Sequence, residues 1–369
     1  MTVVAPPTQG AVDVDVHVAP AAIDALAVHM DDYWRDYLAN AGMRLSPNLS
    51  GSYPSDAPAP PGELDALRAQ VLDPWGLSHA VLTCITAFDA SRNGYYEAAL
   101  CSAINDWLRA EWLERDERLR AYLTIPTLDP EAAIREVERL GSHDGFVGVL
   151  VPIRGDMRWG NRRFHDLHEA IAAKGLVLAL HAWGRAGNAP TATGFTHSYF
   201  EDYLGNSAIV AQAQVLSLVT EGVFDRAPSL RVVLLECGFA WLPPLLWRFD
   251  KDWKAIWREV PWVKDKPSEY VRRHFPPPPR RRSCRPTARR PRSWPRCSGR
   301  ATCSSTPATS RTSTARATST RCSRRSTTPA ARPCCAATPP RSTGWPASWP
   351  PGPGPAARSA ARAGGARGP

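Results

Sequence analysis

The chain has 369 residues and a formal net charge of +10, but that figure averages two unlike texts. Residues 276–369 hold 19 Arg and no acid, which leaves −9 for residues 1–275, so the body is not a basic nucleic-acid-binding domain. No apolar run reaches membrane-spanning length, and MTVVAPPTQG lacks the basic start and apolar stretch of a secretion signal. Only Cys84, Cys101 and Cys237 fall in the body, without paired spacing, which suits a reducing compartment better than a disulfide framework. The expectation is a cytoplasmic protein with no membrane partner.

The first patterned stretch is AVDVDVHVAP, residues 11–20. Val12, Val14, Val16 and Val18 alternate with Asp13, Asp15 and His17, the period of two expected of a strand whose faces meet different surroundings. Asp15 and His17 then point the same way, and a carboxylate with an imidazole two residues on suits a divalent metal. A half-exposed edge strand explains the same letters. Next come a helix over 21–41, a Pro/Ser/Gly-rich loop over 45–61, a helix over 62–72 and a buried strand, HAVLTCI, at 79–85.

A long amphipathic helix is expected over 95–115, a strand over 119–125 and a helix over 130–140. Strand 146–151, helix 163–174, strand 176–181, helix 209–220 and strand 232–236 follow. Six strands alternating with helices, most of them continuous apolar runs, predict a parallel sheet buried on both faces. Spacing alone leaves a doubly wound sheet and a (β/α)8 barrel equally open. The polar residues favour the barrel. Asp15 and His17 close the first strand, His181 the fifth and Glu236 the sixth, and in a barrel those tips meet at one mouth.

With DVDVHVAP, FHDLHEAIAAKGLVLALHAWG and EGVFDRAPSLRVVLLECGFAWLPPLLWRFD in hand, the chain resembles the amidohydrolase-related family from about Val12 to His274. The branch in question includes aminocarboxymuconate-semialdehyde decarboxylase and resorcylate decarboxylase. The resemblance implies a distorted (β/α)8 TIM barrel of the metal-dependent hydrolase type and one divalent metal ion, zinc or manganese. Carried over by position, Asp15, His17 and His181 are metal ligands, and His181 also lies beside the chemistry. Glu236 stands where decarboxylase relatives usually carry a proton-handling His. That departure tilts the expectation toward a hydrolase acting on a small organic substrate, carboxylated or not, with a non-oxidative carboxy-lyase as the alternative. No Lys closes the fourth strand, where Pro152 and Ile153 stand, which argues against a binuclear site. Arg154, Trp183 and Arg185 follow strands four and five and are candidates to line a pocket for an anionic substrate, though loop residues would look the same. His165 and His168 are read as surface or packing residues. Trp241, Leu242, Trp247 and Phe249 are read as a helical face of the core. Assembly into a homo-oligomer is compatible with all of this.

Residues 276–369 use eight residue types: Pro, Arg, Ser, Thr, Ala, Cys, Gly and Trp. All eight have codons with C or G at the second position, as expected of GC-rich coding DNA read one nucleotide late. Read one base earlier, ATCSSTPATSRT (301–312) permits G-D-L-L-L-Y-A-S-D-F-P-H, and AATPPRSTGW (336–345) permits R-G-N-A-A-A-L-Y-G-L. The first matches the family's eighth strand with its ligand Asp, under Thr309; the second matches its closing helix. The expected domains are therefore 1–275, an incomplete barrel lacking strands seven and eight, and 276–369, an out-of-frame, disordered tail. Taken at face value, the tail is an Arg-rich segment able to bind nucleic acid through phosphate charge, a reading that predicts neither hidden phrase.

Overall fold

Six parallel strands, each hydrogen-bonded only to its neighbours in the chain, form a sheet of order β1-β2-β3-β4-β5-β6. They are β1 (Ala11–His17), β2 (Leu77–Thr83), β3 (Leu119–Thr124), β4 (Phe146–Arg154), β5 (Val177–Gly184) and β6 (Arg231–Leu235). The structure, a computed structural model, describes residues 10–41, 60–89, 93–154, 157–184 and 207–275. All of these lie in the compact unit Met1–Thr312; the second unit, Ser313–Pro369, and with it most of the expected tail, falls outside the described residues, as do the loop over 45–59 and residues 276–312.

The sheet is curled rather than flat. Neighbouring strands lie about 4.8 Å apart, so β1 and β5 would stand about 19 Å apart in a flat sheet. Yet Nε2 of His17 on β1 and Nε2 of His181 on β5 are 3.1 Å apart. The Tyr122 hydroxyl on β3 donates to the Val14 carbonyl on β1 at 2.9 Å, skipping β2. Only curvature allows both, and it selects the barrel over the doubly wound sheet. Val81, Ile85, Tyr122, Leu150, Ala179 and Leu235 fill the concave side. A larger layer, including Leu26, Leu82, Leu100, Ile104, Trp112, Leu123 and Leu178, lies between sheet and helices.

Local chemistry explains most elements. Asp129 accepts from the amides of Glu131 and Ala132 and Pro130 takes the first helical position, so helix Pro130–Leu140 begins and ends as its sequence predicts. Asn93 caps helix Gly94–Leu108 in the same way. The helix expected over 21–41 divides into Asp24–Ala27 and Asp32–Ala41, because the Asp31 carboxylate accepts from the Trp34 amide at 3.0 Å and starts a new helix. The helices expected over 62–72 and 95–115 both finish in a π-helical turn, Arg68–Leu72 and Arg109–Leu113. Helix Leu242–Ile256 is less buried than its apolar face predicts. Trp241, Leu242 and Phe249 are partly covered, but Trp247 is 81% exposed. His165 and His168 are both buried, so of the two readings offered for them the structure selects packing. Among the described residues, no helix is long and apolar enough to cross a membrane.

Candidate metal centre

The alternation in β1 places Asp15 and His17 on the concave face, and curvature carries the tips of β5 and β6 toward them. Among the described residues, Asp15, His17, His181 and Glu236 each offer a ligand atom within 4.8 Å of the others. His17 Nε2 is 3.6 Å from Asp15 Oδ1; His181 Nε2 is 3.7 Å from Asp15 Oδ2 and 3.9 Å from Glu236 Oε2. His181 is fully buried, and its Nδ1 has no hydrogen-bond partner.

Glu236 sits one residue past β6 rather than at its end, as the sequence suggested. Its φ of 56° is left-handed, the one such value among described non-glycine residues, and it breaks the strand ladder there. The turn is held from behind. The Cys237 thiol donates to the Leu235 carbonyl at 3.1 Å, and the Trp241 indole donates to the Cys237 carbonyl at 2.8 Å. Gly238, at φ 65°, completes the bend. A strained residue held by its surroundings and aimed at a cluster of polar groups is a common arrangement in functional sites.

The electrostatics favour a cation. Burial raises the Asp15 carboxyl above its ordinary range and pushes Glu236 up to about 7, with Asp15 repelling it further. Burial also lowers both His17 and His181, leaving neutral imidazoles with a lone pair to give. Two Nε2 atoms 3.1 Å apart are compatible either with one donating to the other or with both facing a shared ion. Neutral imidazoles and carboxylates converging at the strand tips are a donor set for a zinc- or manganese-like ion, so the residues present fit such a group.

The sequence reading missed Thr83. At the tip of β2 its hydroxyl donates to Asp15 Oδ1 at 2.7 Å and fixes that carboxylate's orientation. The logic of polar residues at strand tips would have found it, since Thr83 ends HAVLT as His181 ends the run in β5. Asp13 was read only as part of the alternation. Its carboxylate accepts from the Asp15 amide at 3.1 Å, and burial lifts it to about 6. Arg154 and Trp183 fall within β4 and β5 near their tips; their side chains, and all of Arg185, lie outside the described residues.

A curled parallel sheet with imidazoles and carboxylates gathered at its strand tips defines a class, the (β/α)8-type enzymes that bind metal at the C-terminal mouth. The chain belongs to the amidohydrolase family, a family of metal-dependent enzymes, which it matches over residues 12–318. It is 26% identical over 222 residues to a gamma-resorcylate decarboxylase of a Rhizobium species, covering 58% of this chain and 65% of that protein. It is 29% identical over 174 residues to a gamma-resorcylate decarboxylase of Rhodococcus jostii, covering 42% and 50%. The chain thus spans about half to two thirds of the length of these curated relatives. In structure it is similar to an amidohydrolase of Mycobacterium avium subsp. paratuberculosis, with TM-score 0.54 and 18% identity over 73% of this chain and 82% of that one. It is also similar to a dihydroxybenzoic acid decarboxylase of a Polaromonas species with bound manganese and 2-nitroresorcinol, with TM-score 0.50 and 20% identity over 73% and 77%.

Proposed function

We propose that this barrel is a carboxy-lyase fold acting on a small carboxylated aromatic substrate, with Asp15, His17 and His181 holding one divalent ion and Glu236 beside it. The observation that carries the reading is the convergence of four ligand atoms within 4.8 Å at the tips of β1, β5 and β6. The glutamate at 236 argued from sequence for a hydrolase. The relatives named decarboxylases weigh the other way, and decarboxylation becomes the preferred of the two reactions. Manganese is the preferred ion by analogy with the Polaromonas decarboxylase.

Asp15, His17 and His181 would hold a divalent ion whose positive charge, when bound, would polarise a substrate carboxylate or carbonyl. The chain's own residues supply the rest. Asp15 is held by Thr83 with one carboxyl oxygen toward each of the two imidazoles. In a decarboxylation the bond to the carboxyl carbon breaks, carbon dioxide leaves, and the electron pair left on the ring carbon takes a proton. Glu236 Oε2, 3.9 Å from His181 Nε2, is the chain's own group nearest the cluster that can exchange that proton.

The test is a substrate panel of carboxylated phenols, lactones and amides, run with manganese or zinc on the chain with its reading frame restored. Carbon dioxide release from carboxylated phenols is expected. Turnover of lactones or amides with no such release would replace this reading with the hydrolase.

A further inference from the structure

Among the described residues the sheet stops at both ends, since β1 pairs only with β2 and β6 only with β5. Parallel sheets are ordinarily covered on both faces. Here Val12 and Val14 of β1 are 52% and 38% exposed. Beyond β6, Phe239 is 57% exposed, and helix Leu242–Ile256 contains no buried residue and leaves Ile256 55% exposed. A sheet curled far enough for β1 to touch β5 is short of closure by about two strands.

We propose that the segment meant to fill this gap is encoded in the same gene, one base out of register after the region 275–282, and that strands from it pair with the free edges of β6 and β1. The eight-letter alphabet of residues 276–369 points to the shift, and the recovered phrase points to the occupant. Residues 301–309 permit G-D-L-L-L-Y-A-S-D, an apolar run followed by an acid, the same design as LALH in β5 and VVLLE at β6. Such a strand brings aliphatic side chains to a sheet that lacks cover and a further oxygen donor to the mouth. The written tail has no aliphatic residue larger than Ala and can do neither. The inference stands whichever reaction the site performs.

The test begins with sequencing the DNA across codons 270–285 from independent templates and continues by expressing the full chain both as written and with one base restored. Restoration is expected to give cooperative unfolding and to slow amide exchange in β1 and β6 by at least about 100-fold, because edge amides gain partners. With aspartate read from the DNA at the codon under Thr309, its replacement by asparagine in the restored chain should keep that protection while weakening manganese binding by at least about 10-fold. None of these readouts involves turnover, so they fail separately from the proposed reaction. A restored chain folded no better than the written one overturns the inference. So does a written chain that unfolds cooperatively with protected edge amides, with or without tail-dependent, salt-sensitive DNA binding.

Discussion

At the scale of single residues, the cluster depends on side chains that point donors at its ligands. Thr83 holds Asp15 through one hydroxyl, so Thr83→Val is expected to weaken manganese binding about 10-fold with little change in fold, measured by calorimetric titration. Unchanged affinity would reduce Thr83 to packing. A second residue tests buried charge away from the cluster. His168 is buried with neither ring nitrogen hydrogen-bonded, and burial, with His165 and Arg226 nearby, pushes it down to about 3. The folded state therefore refuses a proton that the unfolded chain accepts below about 6.5. The stability associated with a neutral His168 is full above pH 6.5 and falls as pH drops toward 3, by about 1.4 kcal/mol per unit. His168→Leu removes both the unmet polar atoms and that slope. In the chain with its frame restored, its advantage over the parent in urea unfolding should grow from pH 7 to pH 4; a constant difference would show that His168 does not govern the acid limb.

At the scale of elements, a polar network ties helix to sheet beneath the mouth. The Asn105 amide on helix Gly94–Leu108 donates to the Thr124 carbonyl at the end of β3 and to Glu136 on helix Pro130–Leu140, and its oxygen accepts from the Thr124 amide. Arg139 in turn pairs with Glu136 and with Asp106. Asn105→Ala leaves these buried groups unmet and should cost about 2–3 kcal/mol in chemical denaturation of the frame-restored chain. A loss below about 0.5 kcal/mol would mean that solvent reaches the network. Elements were the most legible level of this chain. Helix Pro130–Leu140 was readable to its last residue because cap, proline and apolar spacing agree. The division of 21–41 was less so, because a single side-chain cap at Asp31 outweighed a continuous helical pattern.

At the scale of the whole molecule, β1 and β6 each lack a second strand partner among the described residues, and Val12, Val14 and Trp247 expose apolar surface. The chain as written is expected to associate, with a weight-average mass in sedimentation that rises with concentration and a dye signal for exposed apolar surface. A concentration-independent monomer would contradict this.

The order of β and α elements, the parallel sheet and the residues able to ligate metal were decided by the linear pattern, because period-two and period-3.6 spacing and the chemistry of strand ends are local properties. The codon-like alphabet of residues 276–369 was likewise visible only in the letters. What the tertiary structure alone decided was convergence: curvature brings β1 and β5 together, the left-handed turn at Glu236 aims its carboxylate, and Thr83 reaches Asp15 across 68 residues. Those are long-range contacts, set by how the sheet bends and packs, and no local run of residues encodes a distance across it.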